Sequence, residues 1–168
     1  MFFDTSYVIG LFDPNKGVAL TYTRLSDGPI RDIIFKKGYD FVTVGKNHLY
    51  NWTYKSQSLV GNQGIFKITS NLENKVVNFS EEDKDLICCT INKIDVIVGN
   101  ANGKIQVWRE YGCVSLTEPY HEGPILVIAS NNICILTGGA DGKINVLHPS
   151  LDVILKLDIM SYEIGSSI

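Results

Sequence analysis

Three residues in the second half of the chain have the types used in hydrolysis. They are His121, Thr137 and Asp141, an imidazole, a hydroxyl and a carboxylate spread over 20 positions. A Ser-His-Asp site needs the hydroxyl open to substrate and the carboxylate behind the imidazole. The other two histidines, His48 and His148, stand alone, and neither has partners at metal-ligand spacing. Four cysteines, Cys88, Cys89, Cys113 and Cys134, include no Cys-x-x-Cys pair, and three of them lie in apolar text. They are expected to be reduced thiols acting as small hydrophobes. No cofactor or metal is expected.

A phosphate-binding loop is the next chemistry to test, because "GNANGKIQVW" (99–108) returns as "GGADGKINVL" (138–147). The P-loop requires Ser or Thr after Gly-Lys, whereas Gly103-Lys104 and Gly142-Lys143 are each followed by Ile. Alternating apolar residues then follow, which is the pattern of a strand rather than of the helix a P-loop opens. Asn-Gly and Asp-Gly are tight-turn signals, so each copy predicts a hairpin.

At 168 residues, 45% hydrophobic and 20% charged, the chain has the composition of a folded domain with a core. It has no apolar run of about 18 residues and no signal-peptide pattern, so no membrane role and a cytosolic setting are expected. The sequons at Asn51 and Asn78 carry no weight in that setting. Charge is uneven. Residues 1–67 hold eight Lys/Arg against five Asp/Glu, a balance of +3, and residues 68–168 hold seven against thirteen, a balance of −6. With no basic stripe or stacking motif, nucleic acid is not an expected partner.

The repeat extends in both directions. "KNHLYNWTY" places Trp52 where Trp108 sits, and "YVIGLFDPN" offers Phe12 in the same place. The anchors Phe12, Trp52, Trp108 and Leu147 are then 40, 56 and 39 residues apart, a period of about 40 with one insertion of about 16. Strands are expected at "IRDIIF", "DLICCTI" and "PILVIAS", then at "DFVTVG", "IDVIVG" and "CILTGG", then at the anchor segments, with a fourth strand after each anchor. The expected fold is all-β. It is a segment of a WD-repeat β-propeller with about three complete four-stranded antiparallel blades plus partial blades at the ends, not a closed ring.

The expected divisions are residues 1–28 (last strands of a partial blade), 29–84 (a blade with a polar insertion at 55–84), 85–119, 120–160, and 161–168 (the start of a truncated blade). The acidic cluster Glu81, Glu82, Asp83 and Asp85 in the insertion is expected to be a solvated loop. In WD-type blades a histidine before the first strand, a hydroxyl in the second, a carboxylate in the next turn and a Trp in the third form a buried hydrogen-bond chain. His121, Thr137 and Asp141 fit that pattern, and Leu147 breaks it. This role leaves no open nucleophile, so an enzyme is not expected.

Residues 42–67 ("VTVGKNHLYNWTYKSQSLVGNQGIFK"), 96–108 and 121–144 resemble consecutive blades in the first propeller of the echinoderm microtubule-associated-protein-like family. The most specific feature is the shortened hairpin "VGKNHLYNW", with Gly45 seven residues before Trp52 against nine from Gly99 to Trp108. The resemblance implies a cytoskeletal, non-catalytic interaction scaffold whose partners are tubulin, microtubules or axonemal proteins. The implied location is the cytoplasmic cytoskeleton, cilium or flagellum included. A WD-repeat adaptor in a complex unrelated to tubulin is the alternative. The missing blades would come in cis or from another chain. Residues expected to face an acidic tubulin surface are Arg24, Arg31, Lys36, Lys37, Lys46 and Lys55.

Overall fold

The computed structural model describes residues 7–25, 28–69, 76–77, 79–159 and 161. Among them there is no helix, and the strands fall into repeated antiparallel sheets. Strands β1 (Tyr7–Asp13) and β2 (Val18–Leu25) form a hairpin. Blade A contains β3 (Ile30–Phe35), β4 (Phe41–Gly45), β5 (His48–Lys55) and β6 (Ser58–Gln63), paired in chain order. A two-residue pair, β7 (Ile68–Thr69) with β8 (Val76–Val77), lies in the insertion.

Blade B contains β9 (Leu86–Asn92), β10 (Asp95–Asn100), β11 (Ile105–Arg109) and β12 (Gly112–Leu116). Blade C contains β13 (Ile125–Ser130), β14 (Ile135–Gly139), β15 (Lys143–Leu147) and β16 (Val153–Asp158). Each is a four-stranded up-and-down sheet, and none closes into a barrel. The fold is a run of propeller blades. The expected truncated blade at 161–168 lies outside the described residues except for Ser161.

Alternation sorts each strand's side chains onto two faces, because successive residues of a strand point to opposite sides. A face turned toward the preceding sheet is called the front here, and the other face the back. Three apolar cores result, each made from one sheet's back and the next sheet's front. Ile9 and Leu25 of the hairpin meet Phe41 and Trp52 of blade A. Val42, Val44 and Leu49 of blade A meet Leu86, Val98 and Trp108 of blade B. Cys88, Ile97 and Ile105 of blade B meet Ile125, Ile135 and Leu147 of blade C. The period of about 40 residues exists because each blade covers its neighbour.

The four anchors all take the front side, but they differ in cover. Trp52, Trp108 and Leu147 are buried. Phe12 is 57% exposed, which corrects the expectation that it is a core anchor. It follows the bulge between Leu11 and Phe12, as Trp108 and Leu147 follow theirs, so its place in the strand matches. Among the described residues no sheet lies in front of it.

The Asn-Gly turn of blade B explains why Gly is needed there. Gly103 has φ 72°, and a Cβ on it would stand 2.1 Å from the His121 carbonyl oxygen. The turn instead accepts the Tyr120 N–H on its own carbonyl at 2.8 Å, so one blade's hairpin holds the loop that enters the next.

Candidate functional site

Each blade carries a buried polar cluster at the end where its second and third strands turn, and the three clusters differ. In blade C the loop before β13 supplies His121, β14 supplies Thr137, the turn supplies Asp141 and β15 supplies Asn145. His121 Nδ1 lies 2.9 Å from Asp141 Oδ1, and Nε2 lies 2.8 Å from Thr137 Oγ1 and 3.0 Å from Asn145 Nδ2. Asn145 Nδ2 also donates to the Tyr120 carbonyl at 3.0 Å. A carbonyl only accepts, so the amide must present its nitrogen there. Nε2 is then an acceptor, and the proton sits on Nδ1, donated to Asp141.

Asp141 also accepts the Glu122 and Lys143 backbone N–H groups. Burial opposes its charge. The Glu122 N–H, His121 and the Lys143 N–H outweigh that and hold the carboxyl below its ordinary range. Thr137 and His121 are 1% and 4% exposed. Every group that could act as nucleophile, base or orienter is turned toward another member of the cluster. The arrangement fixes a loop against two strands.

Blade A uses a different histidine. The two-residue turn of the shortened hairpin, with Asn47 at φ 54°, places His48 directly opposite Gly45. His48 is buried, with Nε2 2.7 Å from Thr43 Oγ1, and Trp52 Nε1–H donates to the same hydroxyl at 2.9 Å. This corrects the expectation that His48 stands alone. The imidazole reaches the second-strand hydroxyl from within its own hairpin, whereas in blade C it comes from the preceding loop.

Blade B has no histidine in its cluster, and a carboxylate takes the loop position. Asp83 is 3% exposed. It accepts from the Ser80 N–H at 3.1 Å, Asn100 Nδ2 at 3.3 Å and Asn102 Nδ2 at 3.2 Å, with Lys104 Nζ at 3.1 Å. Its backbone carbonyl accepts from Gln106 Nε2, and Gln106 Oε1 in turn accepts the Trp108 indole N–H at 3.0 Å. Burial alone would raise the Asp83 pKa, but the Ser80, Asn102 and Lys104 contacts prevail and lower it. The acidic cluster is therefore not uniformly a solvated loop. Glu81 and Glu82 are exposed, Asp85 pairs with Arg31 at 2.7 Å, and Asp83 is the centre of a buried cluster.

The sequence reading missed Thr43, Asp83, Gln106 and Asn145. A usable signal was present for the last two. Aligning "GKIQVW" with "GKINVL" sets Gln106 over Asn145, a polar amide at one position of both third strands. Asp83 had no such signal among four neighbouring acids.

Cys88, Cys89 and Cys113 sit in the inter-blade cores. Burial pushes the thiols of Cys88 and Cys113 up to about 12, and that of Cys89 higher still. Cys134 is partly exposed. Asn51 is buried and its amide is engaged, accepting from Lys36 Nζ and donating to the Glu110 carbonyl, each at 2.9 Å. The Asn78 sequon lies outside the described residues.

The six basic residues do not form one surface. In an up-and-down sheet the first and third turns share one end, and the second turn shares the other with the connections between blades. Lys36 and Lys37 in the β3–β4 turn and Lys55 beside the β5–β6 turn therefore lie at one end. Lys46 in the β4–β5 turn, Arg31 at the start of β3 and Arg24 near the end of β2 lie at the other. Arg31 is spent on Asp85. At the first end the Tyr39 and Tyr54 rings meet edge-on at 5.6 Å, joining the turn that carries Lys37 to the strand end that carries Lys55.

No protein-family model matches the chain. Among curated proteins it is 32% identical over 108 residues to echinoderm microtubule-associated protein-like 1 of Homo sapiens, covering 61% of this chain and 12% of that one. It is 27% identical over 147 residues to the 77 kDa echinoderm microtubule-associated protein of Lytechinus variegatus, covering 84% of this chain and 20% of that one. The chain thus spans a fifth or less of the relatives it matches. Among solved structures the computationally designed Ika8 protein superposes with a TM-score of 0.63 at 18% identity, covering 94% of this chain and 48% of that chain. That likeness is one of fold. The chain is a run of propeller blades, distantly similar in sequence to the echinoderm microtubule-associated-protein-like proteins.

Proposed function

We propose that the chain is a non-catalytic interaction scaffold that associates with microtubules, docking through the end of blade A that carries Lys37 and Lys55. The similarity to the microtubule-associated proteins over 108 and 147 residues carries this reading. Two features of the site support it. The polar groups with catalytic types are consumed in holding loops to strands, and the exposed Lys37 and Lys55 flank a tyrosine pair that gives them a fixed base. A rigid sheet presenting basic loop residues suits an acidic protein lattice better than a small substrate. A cytoplasmic, cytoskeletal location goes with this reading, and axonemal microtubules belong to the same class of partner.

The test is co-sedimentation with stabilised microtubules, with a tube lacking microtubules to subtract self-pelleting. The double variant Lys37→Glu/Lys55→Glu should weaken binding about tenfold at low salt. Arg24→Glu/Lys46→Glu, at the opposite end, should leave it within about twofold. The difference should shrink as salt rises, since exposed charges are screened beyond roughly 8 Å at physiological ionic strength. A wild-type chain that stays in the supernatant at low salt, or equal losses from both variants, contradicts the reading. In the first case the adaptor alternative would take its place.

A further inference from the structure

The first turn of each of blades A, B and C carries a large apolar side chain in the open. Tyr39 in the β3–β4 turn, Ile94 in the β9–β10 turn and Ile133 in the β13–β14 turn are 55%, 71% and 77% exposed. A single exposed isoleucine is ordinary on a protein surface, although tight turns favour Gly, Asn and Asp over β-branched residues. Its recurrence at one place in three consecutive blades is not ordinary. The second turns, at the opposite end, are residues 46–47, 101–104 and 140–142, and none of them holds a large apolar residue. The feature belongs to the end that carries Lys37 and Lys55.

The three turns lie side by side. The strands that lead into them are β3, β9 and β13, and β9 packs against both of the others. Each turn is also braced. The Tyr39 ring meets Tyr54, Arg109 holds Asp95 beside the Ile94 turn with two bonds at 2.8 and 2.9 Å, and Asn131 Oδ1 accepts the Ile133 and Cys134 backbone N–H groups at 2.8 and 2.9 Å. Packed sheets lie about 10 Å apart, so the three side chains form an arc roughly 20 Å long.

The charges along this arc are also of one kind. Lys37 and Lys93 are exposed in these turns and make no ion pair among the described residues. Of the two acids beside them, Asp95 is held by Arg109, and Asp40 is half-buried in a cleft that it shares with Lys36. The blade C turn has no charge. An apolar arc with a positive flank is complementary to an acidic segment that carries apolar side chains.

We propose that this arc docks an extended acidic segment of a protein partner, with an apolar side chain at every third residue seated on Tyr39, Ile94 and Ile133 and carboxylates on Lys37 and Lys93. Polyproline II geometry fits the arc, because it sets every third side chain on one side with a repeat of about 9 Å. The inference rests on the reading above for the end that docks, and it names the class of segment that docks there.

The test is fluorescence anisotropy of a labelled peptide of four Glu-Glu-Phe repeats, titrated with the full chain at low salt. Two control peptides replace Phe by Ser or Glu by Lys. The Glu-Glu-Phe peptide should bind at least about tenfold tighter than either control. Ile94→Ser/Ile133→Ser should weaken it about tenfold and Lys93→Glu about threefold, with circular dichroism unchanged because all three side chains are exposed. Val60→Ser, at an exposed position on β6, should leave binding within about twofold. Equal binding of the three peptides overturns the proposal, as does binding that the Ile94/Ile133 variant leaves unchanged. Co-sedimentation with microtubules separates this result from the reading above. If the peptide binds as expected while the chain stays in the supernatant, the arc stands and tubulin is not its partner. If microtubules pellet wild type and the Ile94/Ile133 variant alike while the peptides bind equally, the docking end stands and the arc fails.

Discussion

Replacing Asp83 by Ala should destabilise the chain far more than its place in a run of acids suggests. The carboxylate accepts from Ser80, Asn100 and Asn102 and pairs with Lys104, all within 3.3 Å. Hydrogen bonds to a charged group contribute about 1.5–3 kcal/mol, and breaking one partner of a buried pair costs about 3–5 kcal/mol. Two features lower the figure here. The Lys104 side chain is 23% exposed and can recover water, and Asn100 keeps the Asp83 backbone carbonyl at 3.4 Å as an acceptor. We expect a loss of about 3 kcal/mol, or roughly 6–12 °C in Tm for a domain of this size. Urea melts at one fixed low protein concentration would measure it, since association raises apparent stability. Glu81→Ala, a change at an exposed acid in the same loop, should stay within about 0.5 kcal/mol. The Asp83 pKa is lowered in the fold, so its contribution is present above the unfolded carboxylate value and is lost as pH falls through the folded one. The gap between wild type and Asp83→Ala should therefore close below about pH 4. Equal effects of the Asp83 and Glu81 substitutions at pH 7 would refute the buried-cluster account of blade B.

At pH 8 a thiol reagent should label Cys134 alone in the native chain and all four cysteines in denaturant, read by mass spectrometry. Labelling of Cys88 or Cys113 at the rate of Cys134 would contradict their burial. Their raised pKa values favour the neutral thiol, so their contribution is full below about pH 9 and declines as pH rises toward 12. Gly99→Val would set a Cβ 2.8 Å from Ile125 and 2.9 Å from Cys88 Sγ, forcing blades B and C apart at a cost of about 1–3 kcal/mol. Gly112→Ala, whose Cβ meets only a backbone oxygen at 4.0 Å, should change stability by less than about 0.5 kcal/mol and serves as the control.

The blades were legible because their signals are local. Asn-Gly and Asp-Gly turns and β-branched strands are set within each hairpin, their return after about 40 residues marks similar units, and packing between those units follows. The polar clusters were legible only where a histidine marked one. His121, Thr137 and Asp141 follow a known spacing. His48 takes the same job from an unusual side because its turn is two residues long, which is a matter of backbone geometry. Asp83 differs from Glu81 and Glu82 only in where the loop turns relative to Asn100 and Asn102, contacts that span 17 and 19 residues. Phe12 was placed correctly along its strand, but its exposure depends on what lies in front of it. The six basic residues form a single set in sequence and two sets in space, because alternate turns of an up-and-down sheet lie at opposite ends.

Zero-length carbodiimide cross-linking of the chain to microtubules tests the central claim most directly, because it joins lysine amines only to carboxylates in contact with them. Peptide mapping should place the cross-links at Lys37 and Lys55, with Lys46 unreacted toward tubulin. Cross-links concentrated at Lys46, or none to tubulin while the chain stays in the supernatant, would contradict docking through the Lys37 and Lys55 end of blade A.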